Sequence, residues 1–274
     1  MAQIKLVAPT AKPIELKPVH PNIGIEVAYR KKLHALVEDM NKSLIYWLGA
    51  EYKASGAMTM DESPAAAMRA AMRKMARRWQ RNFDRGADEL AVWFAQKTKD
   101  YADVALKNIL KDAGFAVEFK MTPTMQNAYE SVIGEQVGLI RSIASQHLTR
   151  VETMVMQSVQ VGRDLGTLTD NLQKEFGVTR RRAAFIALDQ NNKASAILTN
   201  ERQRGLGLKQ ARWRHSHAGK VPRPSHVAAG AANVGKGEIY DIDKGLYLDG
   251  VWTWPGREIG CRCSQRGIIP GFIE

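Results

Sequence analysis

The sequence has very few cysteines, and this scarcity excludes a protein that is held together by disulfides. The chain of 274 residues contains 2 cysteines, Cys261 and Cys263, which are separated by one residue. A disulfide between two residues that are separated by a single residue would close a small, strained ring. We therefore predict two reduced thiols, which are either inert or ligands for a bound group.

The sequence also lacks a long hydrophobic run. No stretch approaches the roughly 20 apolar residues that a membrane-spanning helix needs, and the first residues lack the apolar core of a signal peptide. We therefore expect a protein that is made and kept in a cytosol and that has no membrane partner. The content of 45% hydrophobic and 25% charged residues is typical of a folded chain, and the length favours roughly two domains.

Acidic residues are scarce relative to basic ones. The chain has 40 Lys and Arg against 28 Asp and Glu, a formal charge of +12, which favours nucleic acid or another polyanion as a partner. Two basic segments are candidates for contact with nucleic acid or an acidic protein surface, and an ordinary solvated helix face is the alternative. The candidate residues are Arg69, Arg73, Arg77, Arg81, Arg85, Arg180, Arg181 and Arg182.

The first 23 residues are predicted to form an extended arm. Prolines at positions 9, 13, 18 and 21 cannot continue a helix and do not fit a central strand. Single hydrophobic residues alternate with lysines between these prolines. Such an arm is either laid against a partner's surface or left loose.

Residues 24–204 are predicted to be a helical region, because apolar residues recur there at helical spacing. We expect helices over 25–48, 64–86 and 88–110, with glycines or polar links between them. One or more helices follow over 123–162, where Gly134 and Gly138 weaken the pattern. Gly177 is predicted to separate a short helix from a longer one over 179–204, and a short strand is predicted near residues 115–123.

The composition changes near residue 205, where we place a domain boundary. Residues 205–274 are rich in Gly, Pro, Trp and His, and contain only short extended pieces. The dipeptide Asp249-Gly250 between two apolar pieces predicts a hairpin. The fold class predicted for the chain is mainly α, with an elongated N-terminal helical region followed by a small, turn-rich α+β C-terminal module.

Histidine and cysteine residues in this module could hold a structural zinc ion. His217, His226, Cys261 and Cys263 supply four nitrogen and sulfur ligands, with His215 as a spare, and zinc prefers such a tetrahedral set. A small module gains stability from such an ion, because metal binding adds to the folding energy. The spacing differs from that of a standard zinc finger. The alternative is that the thiols pack beneath Trp252 and Trp254 while the histidines cap turns.

The same residues also permit a catalytic interpretation. His217 or His226 would act as general base, Asp241 or Asp243 would orient it, and a cysteine would be the nucleophile. The sequence alone does not place these groups within hydrogen-bond reach of one another. A metal-dependent nuclease is weaker still, because no convincing second histidine follows KGEIYDIDKG. We therefore expect a protein that is not an enzyme.

Several motifs follow one another in a fixed order over about residues 178–263. A long basic helix, TRRRAAFIALDQNNKASAILTNERQRGLG, leads to a Trp-containing strand, ARWRHSHAG, and then to PRPSHVAAG, GKGEIYDIDKGLYLDG and WPGREIGCRC. The pairs within them are Arg223-x-x-His226 and a Pro-Gly that precedes Cys-x-Cys. This order resembles the head morphogenesis domain of the minor head proteins of tailed phages, the group named after the Mu F protein.

The resemblance implies a structural role in a virion. Its expected partners are the portal protein and scaffold or capsid proteins, its expected place is the portal vertex or the inside of the head, and assembly would take place in the host cytoplasm. The implied activity is head assembly and DNA packaging or ejection, with contact to double-stranded DNA. The alternative function is a sequence-independent DNA-binding protein that uses its basic helices.

Overall fold

The structure, a computed structural model, describes residues 5–6, 12–54, 63–161, 164–219 and 221–271. The predicted class is confirmed, because long helices dominate these ranges and a small β-containing region follows them. The helices are α1 (Ile23–Ala54), α2 (Pro64–Asp112), α3 (Pro123–Gln160), α4 (Leu165–Gly205) and α5 (Pro224–Gly235). The strands are β1 (Lys5–Leu6), β2 (Ile14–Glu15), β3 (Phe115–Ala116), β4 (Gln210–Arg214), β5 (Ile239–Asp241), β6 (Leu246–Leu248), β7 (Val251–Thr253) and β8 (Ser264–Ile269).

The helices are longer than the glycines in the sequence predict. The expected break at Gly86 is wrong, because α2 continues through it, and the break at Gly177 is wrong because α4 continues likewise. Phe83, Ala87 and Leu90 are buried at helical spacing across Gly86. A glycine within a helix costs about 1 kcal/mol relative to alanine, whereas full burial of one large apolar side chain contributes about 1.5–3 kcal/mol. Packing therefore outweighs the local preference.

The chain forms two compact units, and neither is continuous in sequence. One unit comprises Glu26–Val92 and Gly134–Leu188, and it is built from parts of the four long helices. Its α3 and α4 segments run antiparallel, because residue numbers on α4 fall as those on α3 rise along a series of side-chain contacts. These contacts are Ser142 with Arg182, His147 with Thr179, and Arg150 with Glu175.

The other unit comprises Met1–Ile25, Trp93–Ile133 and Asp189–Glu274, so residues 205–274 are part of a larger body. Its sheet has the order β2-β8-β4-β5, with antiparallel neighbours. Burial alternates along β8, as expected for a strand with one face against a core. Ala211 and Trp213 of β4 lie in that core, where Trp213 is fully buried.

The described part of the N-terminal arm is a strand of the protein's own sheet. Ile14 and Glu15 pair with Ile269 and Ile268 of β8, and Leu16 is buried in the core of the same unit. This pairing corrects the expectation of an arm that is loose or laid against a partner. Residues 1–4 and 7–11 of the predicted arm lie outside the described residues.

The C-terminal region contains a hairpin that the sequence predicted and a short helix that it did not. The hairpin is confirmed, since β6 pairs with β7 and Asp249 and Gly250 both have positive φ, as the predicted turn requires. Helix α5 was not predicted. Pro224 stands at its first position, where the missing N–H of proline has no partner to lose.

A buried ion pair joins three segments of the sheet-containing unit. Arg202 of α4 donates from Nε and Nη2 to the two carboxylate oxygens of Asp103 on α2, at 2.6 and 2.7 Å. Its Nη1 donates to the carbonyl oxygen of Lys120 at 2.7 Å, and the guanidinium lies over the ring of Phe119. The Arg202 side chain is 7% exposed, so its loss would leave Asp103 without its main partner.

We predict that Arg202→Ala lowers the free energy of unfolding by about 3 kcal/mol, because it removes a buried guanidinium and leaves the Asp103 carboxylate only its longer pair with Lys99, at 3.5 Å. Arg141→Ala is the control, since Arg141 is 44% exposed and exposed pairs contribute about 1 kcal/mol or less. Urea denaturation of the full chain measures both changes. Equal losses for the two variants would contradict the assignment.

Candidate metal centre

Two cysteines and one histidine converge in the sheet-containing unit. His226 lies in the first turn of α5, and Cys261 and Cys263 lie in the loop between β7 and β8. The Nδ1 atom of His226 is 3.5 Å from Sγ of Cys261 and 3.9 Å from Sγ of Cys263. One ligand atom from each residue lies within 4.8 Å of the others, and all three residues are buried. Both cysteines are free thiols, as predicted.

Hydrogen-bond donors surround the two sulfurs and favour a thiolate. The backbone N–H of Gly256 donates to Sγ of Cys261 at 3.3 Å. The hydrogen bond from the Cys263 thiol, and then that from His226, lower the pKa of Cys261 to about 4. Sharing its proton with Cys261, together with burial, raises the pKa of Cys263. These contacts favour the thiolate form at Cys261 over that at Cys263.

His226 contacts a carboxylate on the side away from the thiols. Its Nε2 is 3.6 Å from Oε1 of Glu258, and both atoms are buried with no hydrogen-bond partner among the described residues. The hydrogen bond with Cys261 raises the pKa of His226, burial opposes this change, and the Cys261 and Glu258 charges add to it. His226 thus lies between a sulfur pair and a carboxylate.

Arg223 holds the cysteine loop against the start of α5. Its Nε is 3.2 Å from Oε2 of Glu258, and its Nη2 donates to the carbonyl oxygen of Ile259 at 2.9 Å. Arg223 is the residue before α5, three positions before His226. In the Arg-x-x-His motif, His226 therefore belongs to the cluster, and Arg223 holds the loop that carries the two cysteines.

The loop between β7 and β8 needs glycine where it passes α4. Gly256 has a φ of +82°, and a Cβ there would lie 2.8 Å from Cβ of Ala196 and 3.2 Å from the carbonyl oxygen of Cys263. Further along, the N–H of Gly260 donates to Oδ1 of Asp189 at 2.5 Å. These contacts explain why Pro-Gly precedes Cys-x-Cys at this spacing.

The structure brings together three of the four predicted metal ligands. His217 is exposed and lies outside the group of three. His215, the predicted spare, lines the same small pocket as His226, Cys261 and Cys263. A Cβ on Gly230 would lie only 2.4 Å from Cβ of His215, so this histidine is packed against α5 one turn beyond His226.

The packing alternative for the thiols is wrong for Trp252, whereas Trp254 packs against the core cluster that contains both cysteines. Trp252 is 58% exposed and stacks obliquely on Tyr247 of the hairpin. Trp254 donates from Nε1 to the carbonyl oxygen of Ile242. The ring beside the cluster is Trp213, whose centroid is 5.0 Å from that of His226 in an edge-on arrangement.

The two aspartates of the catalytic interpretation are engaged elsewhere. Asp241 accepts hydrogen bonds from the backbone N–H groups of Asp243 and Lys244 in a turn. Asp243 pairs with Arg204 and Lys209. The carboxylate that faces His226 belongs instead to Glu258, which sequence reasoning missed. Its position three residues before Cys261 is the signal that could have identified it.

The predicted basic ridge lies on the surface of α2. Arg69, Arg73, Arg77, Arg81 and Arg85 are all exposed, and the apolar residues between them face inward, with Met68, Met72 and Phe83 fully buried. Over the ranges that the structure describes, these five arginines form no ion pair with a carboxylate. Within these ranges, no carboxylate therefore neutralises the positive charge of the ridge.

The second basic segment is partly used within its own unit. Arg180 and Arg181 are exposed, and Nε of Arg180 lies 3.4 Å from Nδ1 of His34. Arg182 is half-buried and donates from Nη2 to Oγ of Ser142 at 2.9 Å. Arg182 therefore contributes to helix packing.

Part of the chain is similar to a known protein family. Residues 149–266 match the family described as phage Mu protein F like protein, which confirms the resemblance over this part of the chain. The matched range contains His226, Cys261 and Cys263, two of the four strands of the main sheet (β4 and β5), and the first half of a third (β8). This part of the chain is therefore similar to a family of phage head-related proteins.

One curated relative extends the similarity over most of the chain. An uncharacterized protein of Haemophilus influenzae (strain ATCC 51907 / DSM 11121 / KW20 / Rd) is 26% identical over 269 residues, which cover 94% of this chain and 56% of that protein. The chain thus spans little more than half the length of the relative it matches. No solved structure shows significant similarity to the chain.

No helix in the described ranges combines the length and the hydropathy needed to cross a bilayer.

We predict opposite effects for the same substitution at two helical glycines. Gly230→Ala would press against Cβ of His215 and destabilise the unit by about 1–3 kcal/mol through overpacking. Gly138→Ala in α3 meets no neighbour within 4 Å and should stabilise its helix by about 0.5–1 kcal/mol. Chemical denaturation measures both. A stabilising Gly230→Ala would show that His215 is not held against α5.

Proposed function

We propose that this protein is a minor head protein of a tailed phage, which binds at the portal vertex and acts in head assembly and in DNA packaging or ejection. The observation that carries the proposal is the Mu F-like match over residues 149–266. Its partners are the portal protein and scaffold or capsid proteins. It is assembled in the host cytoplasm and stays in the head or at the portal.

The geometry of the metal centre supports a role that does not involve catalysis. His226, Cys261 and Cys263 are each 7% exposed or less, so a substrate has little access to them. Their contacts join α5 to the loop before β8, and Arg223 adds a second connection between the same segments. Side chains used in this way give the unit a fixed shape, which suits a protein that docks to another.

We expect the protein to co-purify with the portal protein of the same phage when the two are expressed together. The interaction should persist at physiological salt and in the variant in which the five ridge arginines on α2 are replaced by glutamine, because a specific docking surface does not depend on general charge attraction. Affinity purification followed by size-exclusion chromatography measures the complex. Separate elution of two folded proteins at low and physiological salt would contradict the proposal.

A second function, contact with double-stranded DNA, is supported by the exposed ridge on α2. Arg69 to Arg85 span about 24 Å along the helix axis at 1.5 Å per residue. Each residue that neutralises a phosphate releases counterions, so log K falls with log salt by about 0.9 for each contact. Binding through this ridge would be independent of sequence and would suit a head protein that lies beside packaged DNA.

We predict that replacing the five ridge arginines by glutamine reduces this salt slope by about 4, since full engagement of five residues contributes about 4.5. The control removes the same number of positive charges at scattered, exposed positions. Its substitutions to glutamine are at Lys31, Lys42, Lys53, Lys97 and Lys107. Fluorescence anisotropy with a short duplex over a salt series measures the slope. Equal slopes for the two variants would exclude the ridge as the contact.

A further inference from the structure

We propose that Cys261, Cys263 and His226 bind one structural zinc ion and that His215 supplies the fourth ligand. The inference concerns how the C-terminal region is stabilised, and it does not depend on the proposed role in the phage head.

The spacing of the three buried ligand atoms fits a tetrahedral zinc site. With Zn–S near 2.3 Å and Zn–N near 2.05 Å, tetrahedral geometry puts a nitrogen and a sulfur roughly 3.6 Å apart. The distances from Nδ1 of His226 to the two sulfurs are 3.5 and 3.9 Å. A ligand set of two thiolates and imidazole nitrogen favours zinc over magnesium or calcium, which prefer oxygen.

The groups around the ligands are those that a bound cation would need. Histidine ligands usually donate their other ring N–H to a carboxylate, and here Nε2 of His226 faces the buried Oε1 of Glu258, each without another hydrogen-bond partner in the described ranges. Coordination through Nδ1 would place the proton on Nε2 and direct it at Glu258. The backbone N–H of Gly256 already points at Sγ of Cys261, which stabilises a thiolate ligand.

No fourth ligand atom of the described residues lies within 4.8 Å of all three, so the proposed fourth ligand reaches the ion from the wall of the pocket that they line. The residues that line it include His215 together with His226, Cys261 and Cys263, and among them His215 is the remaining side chain of a type that commonly binds zinc. Its Cβ is held against Gly230, one turn beyond His226 on α5. His217 is exposed and does not line this pocket, but its ring lies edge-on to that of His215, with centroids 4.5 Å apart.

A zinc ion at this place would connect three separate segments. His215 follows β4, His226 belongs to α5, and the two cysteines belong to the loop before β8. Because a preformed site rarely survives unfolding, the binding free energy of the ion adds to the stability of the folded unit. The small, turn-rich region would thereby gain rigidity that its short strands do not supply.

The first test uses the unmodified full chain. Protein purified without chelator should contain one zinc per chain by elemental analysis. Exchange for Co²⁺ should give the visible absorption of a tetrahedral cobalt site and a sulfur-to-cobalt charge-transfer band. Folded protein without stoichiometric metal, which also fails to take up Co²⁺, would overturn the proposal. This result does not depend on whether any variant folds.

The second test assigns the ligands by competition with a chromophoric chelator. His215→Ala should weaken zinc binding at least 10-fold, whereas His217→Ala, which removes a neighbour of His215 and no ligand, should weaken it far less. Glu258→Gln, which keeps the shape of the side chain, should weaken binding about 10–100-fold because it removes a carboxylate that supports a ligand. A loss of affinity in His217→Ala and not in His215→Ala would overturn the assignment of the fourth ligand.

Discussion

The contact between His226 and the two cysteine sulfurs is the interaction on which the C-terminal region depends. The region has few strands, and its longest, β8, has six residues, so backbone pairing alone leaves the connecting loop weakly held. The cluster joins that loop to α5, and Trp213 packs edge-on against the same histidine. The sheet core on one side and the loop on the other thus meet at a single imidazole ring.

The pairing of strands in the sheet joins segments that are far apart in the sequence, so local sequence patterns do not predict it. Strand β2 lies about 250 residues before its partner β8 in sequence, and its pairing depends on tertiary contacts that no local window contains. The apolar faces of the helices, the hairpin at Asp249-Gly250 and the meeting of His226 with both cysteines could be predicted, because each depends on spacing or on residue chemistry.

Other features could not be predicted for physical reasons that particular residues illustrate. Gly86 and Gly177 were expected to end helices, yet burial on both sides outweighs the cost of one helical glycine. The choice between His215 and His217 depends on how the backbone turns after β4, where His217 takes a φ of +55°. The contact between Glu258 and His226 depends on the conformation of the loop, which no local sequence pattern specifies.

The central claim is that donors to sulfur hold the cysteine loop in one conformation, and amide hydrogen exchange tests it most directly. The account predicts that the N–H group of Gly256, which donates to Sγ of Cys261, exchanges as slowly as the N–H groups of β4, because it opens only when the whole unit unfolds. Exchange at the rate of an exposed loop would contradict it and would leave the cluster without a structural role.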